Sequence, residues 1–150
     1  MTQIFIDGDA CPVKDEVMRV AERYGLTVHL VSNRWLRVPD HPLLKRIVVA
    51  DGMDKADDWI AEHCGMGDIV VTTDIPLASR CVAQQARVLA PTGKPFTEAG
   101  IGMAVAMRDL MTHLRDTGEV KSYNASFGSK DRSRFLSALD ALIQAIKRGR

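Results

Sequence analysis

QIFID, at residues 3–7, is a short apolar run that closes on an aspartate, and two later runs do the same: VVAD ends at Asp51 and VVTTD at Asp74. A strand buried inside a parallel sheet is apolar on both faces, so these runs lack the alternation of a half-exposed strand. Working outward, TVHLV (27–31), RIVVA (46–50), DIVVT (68–72) and RVLA (87–90) bring the expected total to about five strands. The segments between them have helical character. Val13, Val17, Met18, Val20 and Ala21 recur at helical spacing up to Tyr24, and Gly25 stops that helix. Residues 55–64 predict a second helix, and Pro76 opens a third that runs to about Ala86. Strand and helix in strict alternation predict an α/β fold: a Rossmann-like parallel sheet, covered by helices on both faces and joined by right-handed crossovers.

The exception to the alternation is the stretch 33–45, a loop with Arg34, Trp35, Arg37 and two prolines. After the fifth strand come a Pro/Gly loop at 91–95, a long helix from about Thr97 to Arg115, a polar loop at 118–130 and a last helix from Asp131 to Lys147. The 150 residues are therefore expected to form one domain with a helical C-terminal extension over about 97–150.

Composition narrows the class. The longest uncharged apolar stretches are far shorter than a membrane span. The N-terminus, MTQIFIDGD, has no basic region and reaches an acid at Asp7, so neither a membrane helix nor a signal peptide is expected. Cys11, Cys64 and Cys81 form no CxxC pair, and His29, His41, His63 and His113 have no metal-ligand spacing. A cytoplasmic protein follows. Net charge is only +1, yet the charges are segregated. Residues 51–74 hold seven acids against Lys55, and residues 118–150 hold seven bases against three acids. That suits a metal site beside an anion-binding surface, or simply two solvated faces.

In a parallel sheet every strand points the same way, so Asp7, Asp51 and Asp74 gather along the carboxyl edge, where open α/β sheets bind ligands. Asp9 follows Asp7, and Asp54, Asp57 and Asp58 open the helix after the third strand. Carboxylates drawn together repel unless protonated or neutralised by a cation. A donor set of hard oxygens favours Mg²⁺ or Mn²⁺. The trio Asp7, Asp57 and Asp74 is the expected core of that site, with Asp9 and Asp54 as further ligands. Each is also open to a structural reading: Asp54 with Asp57 resembles a capping pair, Asp74 precedes Ile75-Pro76 as a helix cap would, and Asp51 and Asp58 read most readily as structural.

Cys11 is expected to pack rather than react, since the phosphatase Cys-to-Arg spacing is missing. Lys14, in the first turn of its helix, is a candidate contact for an anionic substrate. Arg34 and Arg37 flank Trp35. They either stack on a base and pair with phosphate, or stand exposed around a tryptophan folded into the core. Lys130, Arg132 and Arg134 open the last helix, where basic side chains add to the positive end of the helix dipole to favour phosphate.

IFIDGDACPVKDEV, DGMDKADDWIAEH, GDIVVTTDIPLASR and KDRSRF together resemble the bacterial YaiI/YqxD family, across nearly the whole chain. That family is grouped with the PIN-like nuclease folds. The resemblance implies a PIN-like sheet whose acids bind Mg²⁺ or Mn²⁺ for phosphodiester hydrolysis, with RNA or another single-stranded nucleic acid as substrate. It assigns catalytic roles to Asp7 at the end of the first strand, to Asp57 in Asp57-Asp58-Trp59-Ile60, and to Asp74 in Thr72-Thr73-Asp74. The pattern's further acid is missing, because residues 75–90 contain no Asp or Glu; Asp9 or Asp54 is the substitute. Two other readings stand beside this one. Asp7-Gly8-Asp9 also resembles the start of phosphatases with an aspartate nucleophile. A non-catalytic nucleic-acid or nucleotide-binding module would equally retain the acidic pocket.

Overall fold

The computed structural model describes residues 2–8, 11–50, 55–102 and 127–149. Within them the chain runs β1 (Gln3–Asp7), α1 (Lys14–Tyr24), β2 (Thr27–Ser32), β3 (Leu44–Val48), α2 (Lys55–His63), β4 (Ile69–Val71), α3 (Ile75–Ala83), β5 (Arg87–Leu89) and β6 (Pro95–Phe96). A short helical stretch, α4, follows at 98–102, and α5 spans Ser129–Lys147. The strands form one sheet in the order β3-β2-β1-β4-β5-β6, with every pair parallel except β5–β6. The fold is thus the expected α/β architecture.

Side-chain alternation along the central strands divides the core in two. Ile4, Ile6, Val28, Leu30, Ile69, Val71 and Leu89 point to one face and meet Val17, Val20 and Ala21 of α1 and Phe135, Leu139 and Ile143 of α5. Phe5, Val31, Val70 and Val88 point to the other and meet Ala56, Ile60 and Ala61 of α2 and Leu77, Ala78 and Cys81 of α3. Each large apolar side chain buried this way contributes about 1.5–3 kcal/mol. The C-terminal helix α5 therefore closes the α1 face of the core rather than lying outside it.

Local signals explain the helices. α1 ends at Gly25, whose left-handed backbone lets its N–H reach the Ala21 carbonyl. α3 begins with Asp74 as its N-cap and Pro76 in its first turn, where a missing N–H costs nothing. α5 starts at Ser129, two residues before the expected Asp131. The Asp131 carboxylate instead accepts from the Gly128 N–H at 3.0 Å.

Two strands depart from the sequence expectation. β3 begins at Leu44 and ends at Val48, not at 46–50, because its register against β2 runs from Val28↔Leu44 to Ser32↔Val48. It is an edge strand with Lys45 and Val48 exposed, not a buried one. β6 lies in the segment expected to be loop. Ala90 donates to the Lys94 carbonyl at 2.8 Å, turning the chain back so that Pro95 and Phe96 pair antiparallel with Leu89 and Val88. Beyond residue 102 the expected 97–115 helix lies outside the described residues, as does most of the 118–130 loop. No helix among the described residues is long and apolar enough to cross a membrane.

Candidate functional site

The strand order reverses direction at β1: β2 and β3 extend to one side, β4 and β5 to the other. At such a switch point the crossovers leave on opposite faces and open a crevice outside the carboxyl ends of the strands. Asp7 ends β1 and Thr72 directly follows β4, so both stand at that carboxyl edge. Asp7 is 5% exposed and Thr72 is fully buried. The Thr72 hydroxyl donates to Asp7 Oδ2 at 3.0 Å, and Thr72 Oγ1 accepts from the Asp74 N–H, also at 3.0 Å. One threonine thus fixes the Asp7 carboxylate and ties it to the start of α3. Asp74 Oδ1 accepts from the Leu77 N–H at 2.9 Å, so Asp74 caps α3 while standing at the same edge.

α2 also begins at the carboxyl edge, and Asp57 lies in its first turn. Asp58, next to it, forms an ion pair with Arg80 of α3 at 2.8 Å, and this bond raises the Arg80 pKa above its usual value. The structural reading of Asp58 is therefore the observed one. Among the described residues, no three His, Cys, Asp or Glu side chains are grouped so that they would hold a metal ion by themselves. Asp9, Asp54 and Asp51 lie outside the described residues.

Cys11 is buried, and burial lifts its thiol from the usual 9.0 to about 11, so it is protonated at neutral pH. It packs as expected. Lys14 folds back to donate to the Cys11 carbonyl at 2.6 Å. It also borders a cleft of about 290 Å³ with Met18, Glu22, Val38 and His41. Ile6 and Leu30 floor that cleft, so it opens on the opposite sheet face from the Asp7 side chain and is not the acidic crevice.

The basic residues divide by partner. Arg132 donates to the Glu16 carboxylate and to the Pro12 carbonyl, each at 2.9 Å, and lies over the Phe127 ring. It ties the start of α5 to the start of α1. Asp140, further along α5, meets Arg23 and Tyr24 at the end of α1, so the two helices run parallel. Lys130 and Arg134 are exposed on the first turns of α5, which this alignment puts at the carboxyl end of the sheet. The turn after β5 sits beside them: a Cβ at Gly93 would lie 2.9 Å from the Arg134 carbonyl oxygen. Arg34, Trp35 and Arg37 are all exposed, so the tryptophan does not fold into the core.

The residue reading missed two partners. Thr72 belongs to a recognised pattern, but its hydroxyl contact depends on side-chain direction in a neighbouring strand. Arg46, whose guanidinium lies 4.8 Å from the centre of the Trp35 ring, is eleven positions away in sequence and left no motif.

Fold and edge together define an α/β protein with aspartates at the carboxyl edge of a mostly parallel sheet, beside its switch point. The family model described as "Uncharacterized BCR, YaiI/YqxD family" matches residues 5–145, and the chain belongs to that family. Similar relatives match over most of their own length. A "UPF0178 protein" of Rhodopseudomonas palustris (strain BisB5) is 59% identical over 99% of this chain and 91% of its own. One from Nitrobacter winogradskyi is 59% identical over 97% of this chain and 93% of its own. One from Gluconobacter oxydans is 56% identical over 98% of this chain and 84% of its own. No solved structure matches the chain.

Proposed function

We propose that the chain is a divalent-metal-dependent nuclease that hydrolyses phosphodiester bonds in RNA. The observation that carries this reading is the Asp7 carboxylate, buried at the switch point and held by the Thr72 hydroxyl at 3.0 Å, with Asp74 tied to the same threonine. Burying a carboxylate costs free energy unless hydrogen bonds or a counter-charge offset it, and the Thr72 hydroxyl supplies one such bond.

The donor chemistry of this edge fits Mg²⁺ or Mn²⁺. Its acids offer hard oxygens, which favour these ions over softer ones. Asp7, Asp9, Asp54, Asp57 and Asp74 would hold the ion. When bound, it would lower the pKa of a water and offset charge on the leaving oxygen. The rest falls to the chain. Thr72 keeps Asp7 in one rotamer, so the carboxylate needs no reordering as substrate arrives. Lys130 and Arg134, exposed at the start of α5, and Arg34 on the loop after β2 attract the phosphate backbone to this edge.

A second reading, a nucleic-acid-binding module without turnover, draws on one observation: Asp74 Oδ1 already accepts the Leu77 N–H as a helix cap. Labelled single-stranded RNA and DNA incubated with the protein in Mn²⁺ decide between them. Parallel samples contain EDTA or the Asp7→Asn variant, whose side chain still accepts from Thr72 but carries no charge. Cleavage by wild type alone supports the nuclease. Binding without cleavage by folded wild type, or equal cleavage by the variant, overturns it.

A further inference from the structure

We infer that Trp35 is a stacking platform for an unpaired base of single-stranded nucleic acid, with Arg34 and Arg37 gripping the adjoining phosphates. The inference rests on the nucleic-acid reading of the acidic edge and names the form of substrate that edge receives.

Trp35 is 67% exposed, unusual for the largest apolar side chain. It is nonetheless held in place. The Arg46 guanidinium sits 4.8 Å from the ring centre and covers one face of the indole. Arg46 is itself pinned, donating to Asp40 Oδ1 at 2.5 Å and to the Val38 carbonyl. Its side chain is only 15% exposed. The ring therefore offers its other face to solvent at little entropic cost. A flat, fixed aromatic face accepts any base, because every base has a π-face.

The loop is also fixed relative to the acids. Ser32, at the end of β2, donates its hydroxyl to the Arg34 carbonyl and turns the chain there. Leu36 then packs against Gly8, the residue after Asp7, so closely that a Cβ at Gly8 would lie 2.7 Å from Leu36 Cδ1. The loop that carries Trp35 is thus anchored at the carboxyl end of β1 through Leu36. Arg34 and Arg37, on either side of the ring in sequence, are exposed and pair with no carboxylate among the described residues. Exposed guanidinium groups next in sequence to a ring with one open face complement a polyanion with exposed bases. A duplex, whose bases are already stacked, cannot use the ring.

The test is fluorescence anisotropy in EDTA, so that binding is read without cleavage. The probes are fluorescein-labelled oligouridylate and an abasic oligomer of equal length. Trp35→Ala should lower affinity for oligouridylate roughly ten- to a hundredfold, and Trp35→Phe no more than about threefold. The abasic oligomer should bind wild type and Trp35→Ala equally. Arg34→Ala with Arg37→Ala should reduce the salt dependence by about 0.7 in log–log slope for each phosphate no longer gripped. Trp35→Ala at wild-type affinity, an equal loss on the abasic oligomer, no binding by folded wild type, or a Trp35-dependent dimer in its place each overturns the platform. Trp35-dependent binding without Mn²⁺ cleavage refutes hydrolysis alone; cleavage with Trp35-independent binding refutes the platform alone.

Discussion

Replacing Thr72 by Val removes a hydroxyl that serves two partners and leaves the volume nearly unchanged. The hydroxyl is fully buried. It donates to the Asp7 carboxylate at 3.0 Å and accepts from the Asp74 N–H at 3.0 Å. A hydrogen bond to a charged group contributes about 1.5–3 kcal/mol, and a neutral one about 0.5–1.5 kcal/mol. The added methyl returns about 0.8 kcal/mol. Thr72→Val should therefore lose about 2–3 kcal/mol in urea unfolding followed by circular dichroism, a fall in Tm of roughly 5–10 °C for a chain of this size. Thr72→Ser keeps the hydroxyl and sheds one methyl, so it should cost only about 1 kcal/mol. In an Asp7→Asn background the Thr72→Val penalty should shrink, because the acceptor is then neutral. A Thr72→Val cost under about 0.5 kcal/mol, the range of an ordinary surface change, would refute the relay. So would Ser and Val variants of equal stability.

Three further outcomes follow from the same geometry. Burial lifts the Cys11 thiol to about 11, so the native state keeps a proton that the unfolded chain loses near 9.0. Stability from this site is then whole below that lower value and falls as pH rises toward the higher, by up to about 1.4 kcal/mol per unit; urea midpoints across the alkaline range should decline less steeply in Cys11→Ala. Hydrogen bonds from Tyr24, Arg23 and Gln144 hold the Asp140 carboxyl below its usual 3.8. Its contribution is present above that value and lost as pH falls through the lowered one, so Asp140→Asn should cost about 1 kcal/mol at neutral pH and nothing in strong acid. Gly8→Ala places a methyl against Leu36 and within 3.1 Å of the Val31 carbonyl oxygen. It should cost about 1–2 kcal/mol and weaken oligonucleotide binding, while Gly25→Ala, which strains only its own left-handed backbone and meets nothing within 4 Å, costs stability but leaves binding unchanged.

What could be read from the sequence was whatever is local or periodic. QIFID revealed β1 because a central strand is apolar on both faces, and Gly25 and Asp74 marked helix ends because caps are made by neighbours in the chain. β3 was misplaced by two residues because it is an edge strand. With no strand neighbour on one side among the described residues, its ends are set by pairing with β2 rather than by the limits of an apolar run. β6 was invisible, being two residues, one of them proline, recruited by a turn. Asp7 and Asp74 were placed at one edge by strand direction alone. The Thr72 relay, the Arg46–Trp35 stack and the Arg132–Glu16 tie were not, because each joins residues whose nearness is created only by the fold.

The charge segregation shows how the two levels connect. Acids cluster in the middle of the sequence and bases near its end, and composition alone cannot say whether they meet. The parallel docking of α5 on α1 settles where the basic turns go. Arg132 fixes the start of α5 to Pro12 and Glu16, and Asp140 fixes its later turns to Arg23 and Tyr24. Reversing α5 would carry Lys130 and Arg134 to the far end of the sheet, away from Asp7 and Asp74. Arg132, a candidate phosphate contact, also orients the helix that carries its two exposed neighbours. Breaking its bond to Glu16 should therefore disturb the placement of Lys130 and Arg134 before it weakens any direct grip on substrate.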